Sequence, residues 1–502
     1  IQGSNMAECH PVGFQWVEEA KARGATVIHI DPRFTRTSAV CDKHIPIRAG
    51  SDVALLGALI NHVLRHDLWF VDYVLAYTNA ATLIDENYRD TEDLGGLFSG
   101  FDAATGSYDR SSWAYARDGD GTPLRDDTLT DPRTVFQILK RHYARYTPEM
   151  VAAVCGIRVA DFEYLATAMT QNSGRERTTC FAYAVGWTQH SFGAQYIRTA
   201  TILLLLLGNV GRPGGGIMAL RGHASIQGST DIPTLFDLLP GYLPMPRAGV
   251  HDSFTDYVDA VGPKQRKGFW ANADSYLTSL LKAWWGDAAH ADNDWAYDYL
   301  PRLTGAHGTY QTLTAMLADE VDGYFLLGQN PAVGSANGRM QRRGMAHLKW
   351  LVVRDLNLIE SATWWKDGPE IASGELRTED IDTEVFFLPA ATHVEKAGTF
   401  TQTQRLLQWR HRAVAPPGDC QSELQFFVEL GNRIRAKLAG STDPRDRPLL
   451  DLTWDYPTDA HGDPDPQSVL AEINGRQLGG SDAGASLSSF TQLRADGSTA
   501  AG

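Results

Sequence analysis

The chain has 502 residues, with 60 acidic against 45 basic side chains and a formal net charge of −15. A composition of 43% hydrophobic and 21% charged residues is ordinary for a globular protein, and it excludes a disordered or collagen-like chain. At about 150 residues per domain, this length predicts two to four domains. The acidic balance argues against a duplex-DNA binder, which needs a basic face to neutralise phosphates. We therefore expect no nucleic-acid partner.

The five cysteines are widely scattered and form no CxxC pair, so they predict neither a disulfide framework nor a cysteine-ligated metal cluster. We expect each of them to be a small buried hydrophobe: Cys9, Cys41, Cys155, Cys180 and Cys420. The most apolar stretch, residues 200–210, is shorter than the roughly 20 residues that span a bilayer. No direct membrane span and no protein metal ligand are therefore expected within this sequence.

The first half of the chain alternates helix and strand signals. Proline is favoured at the first position of a helix, so Pro11 predicts a helix that ends near Gly24. The next predicted elements are, in order, a strand over 25–30, a helix over 53–68, a polar surface excursion over 100–130, helices from 147 and over 159–169, a strand over 179–185 and a helix over 191–207. The glycine-rich segment 208–216 ends this half of the chain.

The second half repeats the alternation after an aromatic-rich region over about 240–310. Strands are predicted over 324–327, 350–353 and 384–388, and a helix over 423–437 is followed by a loop-rich tail from Gly440. Short apolar strands that alternate with helices are typical of doubly wound parallel sheets. The predicted fold class is therefore α/β, with two Rossmann-like parallel-sheet domains.

Parallel sheets bind ligands at the carboxyl ends of their strands, where the turns into helices gather, and several turns of this sequence carry suitable chemistry. They are Gly3-Ser4-Asn5, Asp31-Pro32-Arg33, Gly50-Ser51-Asp52, Gly328-Gln329-Asn330-Pro331 and Arg354-Asp355. Backbone N–H groups suit phosphate oxygens, a carboxylate suits a ribose diol or a guanine edge, and an arginine suits phosphate. The same residue types also dominate ordinary turns, so a purely structural role remains open.

Arg221 stands among small residues just after the glycine-rich segment. Its rigid five-donor guanidinium suits a buried anion, and the alternative is a salt bridge to a neighbouring acid. The sequence lacks GxGxxG after a strand, GxxxxGK[ST], HExxH and GxSxG, which disfavours the common NAD, P-loop, zincin and hydrolase functions. What remains is a large cofactor site built mainly from turns and backbone.

Four segments together resemble the large subunit of formate dehydrogenases, in the respiratory, quinone-linked branch of the molybdopterin oxidoreductases. They are residues 3–11 (GSNMAECHP), 31–33 (DPR), 186–190 (GWTQH) and 220–228 (LRGHASIQG), the last followed by STDIPTL. The resemblance extends over essentially the whole chain. It implies formate as the substrate and a bis-molybdopterin guanine dinucleotide cofactor that carries molybdenum or tungsten.

The resemblance also implies roles for single residues. One guanine dinucleotide would be held by Asn5, Asp31, Arg33, Gly50 and Asp52, with Gly186 and Gln189 nearby. The second would lie along Gly222, Gly328, Asn330 and Asp355. Arg221 would be the catalytic arginine that holds the carboxylate of formate.

Two family features are absent from the sequence: the N-terminal four-cysteine motif for a [4Fe–4S] cluster, and the segment with the selenocysteine or cysteine that ligates the metal. We therefore expect a central portion of the subunit, inactive by itself and without the family's iron–sulfur domain and last cofactor-binding domain. The expected organisation is a cofactor-binding domain over 1–223, a second over 224–440, and a tail over 441–502 that leads toward the last domain.

The resemblance further implies an iron–sulfur electron-transfer subunit and a membrane cytochrome b as partners, in a periplasmic, membrane-associated complex. Two other functions remain open on the sequence. One is another molybdopterin oxidoreductase, such as an oxyanion reductase, and the other is a non-catalytic cofactor-binding scaffold.

Overall fold

A computed structural model describes residues 1–262, 271–402 and 406–473. The chain divides into two compact units, Ile1–Gly222 and His223–Gly502. Parallel sheets occur in both units together with many helices, so the predicted α/β class is confirmed. Part of the predicted tail, residues 474–502, lies outside the described residues.

The first unit contains the following elements. Its helices are α1 (Met6–Cys9), α2 (Pro11–Ala22), α3 (Arg36–Val40), α4 (Asp52–Arg65), α5 (Val71–Tyr77), α6 (Val135–Tyr143), α7 (Pro148–Cys155), α8 (Val159–Gln171), α9 (Val185–Thr188) and α10 (Gly193–Leu206). Its strands are β1 (Ile28–Ile30), β2 (Lys43–Ile45), β3 (Phe101–Asp102), β4 (Ser107–Tyr108), β5 (Cys180–Tyr183) and β6 (Gly216–Ala219).

The sheet of the first unit is joined through a single residue near the start of the chain. β1 pairs in parallel with β2, and β5 with β6. Gln2 forms parallel bridges with Ile30 and with Tyr183, so it connects the two pairs. Because these strands run in one direction, their carboxyl ends lie at one edge of the sheet, called the carboxyl edge below.

The core of the first unit forms around α4. Nearly every residue from Ala54 to Leu64 is buried, and a helix that is apolar on all sides belongs inside a domain. The polar segment 100–130 is largely exposed, and β3 and β4 are its only strands apart from isolated bridges, in agreement with the predicted surface excursion. The prediction for the cysteines is wrong except at Cys155, because Cys9 and Cys180 are exposed and the other two are half-buried.

The second unit contains the remaining elements. Its helices are α11 (Ile226–Asp231), α12 (Phe254–Val261), α13 (Ala273–Trp285), α14 (Thr309–Leu317), α15 (Pro331–Gly334), α16 (Gly338–Met345), α17 (Glu360–Asp367), α18 (Pro369–Ala372), α19 (Glu423–Leu438), α20 (Arg447–Leu450) and α21 (Pro466–Ile473). Its strands are β7 (Leu238–Leu239), β8 (Leu243–Pro244), β9 (Gly323–Leu327), β10 (Trp350–Asp355), β11 (Glu384–Pro389), β12 (Gly398–Thr401) and β13 (Leu407–Arg410).

The parallel sheet of the second unit has β10 at its centre, between β9 and β11. Leu326, Leu351 and Val353 point into a core that α14, α16 and α17 also line. The aromatic-rich region around α12 and α13 forms a separate core that includes Tyr257 and Tyr297. In the described part of the chain, no helix combines the length and the apolar character that a bilayer crossing requires.

Candidate functional site

The carboxyl edge of the first unit collects most of the site residues expected from the sequence. The N–H of Gly186 donates to the carbonyl oxygen of Gly3 at 3.0 Å, which joins the turn after Gln2 to the turn after β5. Nε2 of His10 bonds the carbonyl oxygen of Arg221 at 3.0 Å, which joins α2 to the segment after β6. Turns separated by some 200 residues in the sequence therefore meet at this edge, as parallel strands require.

Asn5 precedes α1, and its amide bonds to protein groups on both sides. Oδ1 accepts hydrogen bonds from the hydroxyl of Thr37 at 2.9 Å and from the Thr37 N–H at 3.4 Å. Nδ2 donates to Oε2 of Glu8 at 2.7 Å. The Asn5 side chain thus connects the first turn to α3, and its main part in the site is to hold these two segments together.

Asp31 and Arg33 follow β1, and Arg33 lines an open cleft of about 470 Å³. Oδ1 of Asp31 accepts the N–H of Arg33 at 2.9 Å, which fixes the turn. The cleft is lined by Asn5, Glu8, Arg33, Phe34, Thr35, Arg36 and Ala39. The Arg33 guanidinium is exposed and has no ion-pair partner among the described residues, so it can receive an anion.

His29 lies directly beneath this turn and is fully buried. One ring nitrogen bonds the Ser4 carbonyl oxygen at 3.0 Å, so it carries the proton, and the other contacts the hydroxyl of Ser38 at 2.7 Å. Burial lowers the pKa of His29 from 6.5 to about 4, and the nearby Asp31 carboxylate opposes that shift only in part. His29 is therefore neutral at physiological pH and braces the two turns above it.

Gly50 and Asp52 occupy different environments although they lie in one turn. Gly50 has φ +86°, and a Cβ placed on it would meet no atom within 4 Å. Asp52 is buried, and its Oδ1 accepts hydrogen bonds from Nε2 of Gln2 at 2.7 Å and from Nε1 of Trp187 at 3.1 Å. The carboxylate of Asp52 is thus directed into the protein, where it holds Gln2, the residue that connects the two strand pairs of the sheet.

Gly186 and Gln189 lie in and just after α9. A Cβ on Gly186 would stand 2.5 Å from the carbonyl oxygen of Gly3, so only glycine permits this approach of two backbones. Gln189 follows the last residue of α9 and is exposed. Gly186 therefore shapes the carboxyl edge, whereas the amide of Gln189 is accessible to a ligand.

Arg221 follows β6 closely, and its side chain is exposed. Its guanidinium forms no ion pair with any described residue, so the salt bridge that the alternative requires is not formed among them. A Cβ on Gly222, the next residue, would also meet no atom within 4 Å. The segment thus presents an unpaired cation next to bare backbone.

The second unit has an equivalent arrangement at the carboxyl ends of β9 and β10. Gly328 follows β9 with φ +62° and open space at the position of a Cβ, and its N–H donates to the carbonyl oxygen of Arg354 at 2.9 Å. Oδ1 of Asn330 accepts from the hydroxyl of Ser361 at 2.7 Å, and Nδ2 donates to Oε2 of Glu360 at 2.7 Å. Asp355, the last residue of β10, accepts the N–H of Leu356 at 2.7 Å.

These features fit the dinucleotides of the cofactor that the resemblance implies. A ligand can approach the backbone closely where a Cβ would meet nothing, as at Gly50, Gly222 and Gly328. The hydroxyl of Ser4 is buried without a hydrogen-bond partner, so it can form a hydrogen bond with a dinucleotide. Together with the unpaired guanidinium of Arg33, these groups match the phosphates and hydroxyls of a dinucleotide.

Several residues of the site carry no signal that sequence spacing alone would reveal. Glu8, Phe34 and Arg36 line the cleft only because α1 and the turn after β1 meet there. Thr37 and Ser361 are more accessible to prediction, because each lies six residues after the aspartate that ends or follows a strand. The same six-residue spacing in both units shows that Thr37 and Ser361 occupy equivalent positions.

The sequence is similar to a known family model and to several curated proteins. The molybdopterin oxidoreductase family model matches residues 1–363 and 386–433. Formate dehydrogenase 2 subunit alpha (cytochrome c-553) of Nitratidesulfovibrio vulgaris is 41% identical over 99% of this chain and 49% of its own length. The nitrate-inducible formate dehydrogenase major subunit of Escherichia coli is 38% identical over 100% of this chain and 50% of its own.

Another similar protein is the formate dehydrogenase subunit alpha of Megalodesulfovibrio gigas, 39% identical over 100% of this chain and 50% of its own. Among solved structures, acetylene hydratase from Pelobacter acetylenicus matches with a TM-score of 0.47 and 17% identity, over 89% of this chain and 48% of that one. The chain spans about half the length of the curated relatives it matches. Because the family model matches well over half of its residues, the chain belongs to the molybdopterin oxidoreductase family.

Proposed function

We propose that the chain is part of the catalytic subunit of a formate dehydrogenase, which oxidises formate to carbon dioxide and passes two electrons to an iron–sulfur chain. The observation that carries the proposal is the guanidinium of Arg221, which is exposed and unpaired beside the open backbone of Gly222. The three relatives described above, all named as formate dehydrogenase subunits, support formate as the substrate.

In this proposal the first dinucleotide is held by the turns that contain Asn5, Asp31, Arg33, Gly50 and Asp52, with Gly186 and Gln189 nearby, and the second by the turns that contain Gly222, Gly328, Asn330 and Asp355. When bound, the bis-molybdopterin guanine dinucleotide with molybdenum or tungsten supplies the two-electron redox centre. Of these residues, Arg33 and the backbone at the open glycines contact the ligand directly. Asn5, Asp52 and Asn330 act through the segments that their side chains already hold.

Arg221 binds the substrate in this proposal. Two N–H groups of its guanidinium donate to the two oxygens of the formate carboxylate, which fixes the direction of the remaining C–H bond. Oxidation of formate yields carbon dioxide, one proton and two electrons, so the negative charge of the carboxylate is lost in the reaction. A preorganised cation at that position orients the substrate without reorganising during the reaction.

The proposal extends to organisation and partners. Residues 1–223 and 224–440 would form the two cofactor-binding domains, and residues 441–502 would lead toward a further domain. The subunit would deliver electrons to an iron–sulfur subunit and a membrane cytochrome b in a periplasmic, membrane-associated complex. The E. coli and N. vulgaris relatives, whose names refer to nitrate induction and cytochrome c-553, support a respiratory setting.

Formate-dependent dye reduction by the complete, cofactor-loaded subunit tests the proposal. Arg221→Ala should lower kcat/KM for formate by at least about 100-fold, and Arg221→Lys should recover part of it as a point charge without bidentate geometry. Arg23→Ala is the matched control, because Arg23 is an exposed arginine whose one ion-pair partner in the described part of the chain is Glu19. Unchanged formate kinetics in Arg221→Ala, or reduction of nitrate in preference to oxidation of formate, would refute the proposal.

A further inference from the structure

The two units share a hydrogen-bonded arrangement that joins the Asn turn to the helix after the next strand. In the first unit, the hydroxyl of Thr37 donates to Oδ1 of Asn5 at 2.9 Å and accepts the N–H of Ala7 at 2.9 Å. The N–H of Thr37 also donates to the same Oδ1, at 3.4 Å. One side chain of α3 thus satisfies both the amide and the backbone of the turn at α1.

The second unit repeats these bonds one for one. The hydroxyl of Ser361 donates to Oδ1 of Asn330 at 2.7 Å and accepts the N–H of Ala332 at 3.1 Å. The N–H of Ser361 donates to the same Oδ1 at 3.1 Å. We call each set of three residues a clamp: Asn5, Ala7 and Thr37 in the first unit, and Asn330, Ala332 and Ser361 in the second.

Spacing in the sequence shows that the two clamps occupy the same place in their units. Each alanine lies two residues after its asparagine, and each hydroxyl residue is the second residue of its helix, six residues after Asp31 or Asp355. Both hydroxyl residues are 0% exposed, so solvent cannot replace these bonds. Such agreement is not expected of independent helix caps, which use residues within one turn of the helix.

The clamps connect the two turns at the carboxyl edge that carry the other site residues. In each unit one turn has a glycine at positive φ, and the other has the aspartate that follows or ends the strand. If the two turns were free to move, ligand binding would have to order them at a cost in affinity. A buried hydroxyl that ties them together transfers this cost from binding to folding.

We infer that Thr37 and Ser361 are positioning residues, each of which holds its unit's two turns in the geometry that binds one nucleotide half of the cofactor. The inference rests on the proposed function, since it assigns the nucleotide as the ligand. Neither hydroxyl touches the ligand; each acts through the asparagine and the alanine N–H of its clamp. The two units therefore bind their nucleotides through separate devices of the same design.

Binding of guanosine diphosphate to the cofactor-free 502-residue chain, measured by isothermal titration calorimetry, tests this inference. The unmodified chain should bind two equivalents. In Thr37→Val and in Ser361→Ala, one site should keep its affinity while the other weakens by at least about tenfold, since the hydroxyl bonds are lost without loss of the fold. The conservative variants Thr37→Ser and Ser361→Thr should restore two equal sites.

The remaining outcomes decide between the inference and the function on which it rests. If the unmodified chain binds no guanosine diphosphate, the proposed nucleotide sites are wrong, and the inference falls with them. If it binds two equivalents, and Thr37→Val and Ser361→Ala bind them equally well while melting at a lower temperature, the hydroxyls are structural only and the inference alone is refuted. Because the clamps lie in different units, Ser361→Ala provides a decisive second variant if Thr37→Val fails to fold.

Discussion

Replacing Asp52 with alanine should lower the free energy of unfolding of the first unit by about 3 to 5 kcal/mol. Oδ1 of Asp52 accepts hydrogen bonds from Nε2 of Gln2 at 2.7 Å and from Nε1 of Trp187 at 3.1 Å. Gln2 and Trp187 are both 0% exposed, so neither donor can bond to water once the carboxylate is removed. The sequence alone presents the same aspartate as a candidate ligand of the cofactor.

The magnitude follows from the two donors. A buried donor left without a partner costs about 1 to 3 kcal/mol, and the space left by the carboxylate adds to that cost. Removing a buried charge returns part of the energy, because no cation pairs with Asp52 among the described residues. Asp52→Asn keeps an oxygen at the acceptor position, so it should cost less than about 2 kcal/mol.

The effect is measured by unfolding in urea, followed by amide hydrogen exchange. Exchange in peptides from residues 1–222 reports on the first unit alone. Asp355→Ala is the matched control in the second unit, because among the described residues the Asp355 carboxylate accepts only the N–H of the next residue. That variant should change stability by less than about 1 kcal/mol. If Asp52→Ala unfolds at the same urea concentration as the unmodified chain yet no longer binds guanosine diphosphate, the carboxylate is a ligand and the bracing role is refuted.

Three further predictions concern packing, protonation and a buried ion pair. Gly186→Ala places a Cβ 2.5 Å from a backbone oxygen and should cost at least about 2 kcal/mol, whereas Gly222→Ala meets open space and should leave the melting temperature unchanged. His29 has a pKa of about 4 when folded against 6.5 otherwise, so stability present above pH 6.5 should be lost as the pH falls toward 4, by up to about 3 kcal/mol. The difference between the unmodified chain and His29→Gln in urea, measured across that range, isolates this contribution; equal slopes would contradict it. Glu370→Gln removes the bidentate carboxylate that pairs with Arg342 in a largely buried position. It should destabilise the second unit by about 3 kcal/mol, measured by amide exchange in peptides of that unit. An unchanged stability would show that the pair is solvated.

The strands that the sequence predicts are those with continuous apolar or β-branched runs, such as β1 and β10. β2 escapes prediction because it is only three residues long and begins with Lys43 and His44. β6 begins at Gly216, inside a glycine-rich segment that locally indicates a turn. Gln2 joins the two strand pairs although it is polar, because its amide is bonded to a buried carboxylate. Tertiary partners overrule local pattern in each of these cases.

Positions in the site are easier to predict than the direction of their side chains. Glycine and aspartate after a strand predict turns at the carboxyl edge, since parallel strands place their carboxyl ends at one edge. Asp31 and Asp52 are the same residue type in similar turns, yet Asp31 accepts the N–H of Arg33 within its own turn and Asp52 is buried against Trp187. The difference depends on a contact across 135 residues of sequence, which no local pattern contains.

The polar residues at these edges consequently divide into two groups with different effects on the protein. The side-chain oxygens of Asn5, Asp52 and Asn330 accept hydrogen bonds from buried protein donors, so substitution of these residues should first loosen the turns. Arg33 and Arg221 have no ion-pair partner in the described ranges, so their substitution should leave the fold intact and remove an anion contact. Loss of function after a change in the first group therefore does not identify a ligand, because positioning and contact are distinguished only when folding and nucleotide binding are measured on the same variant.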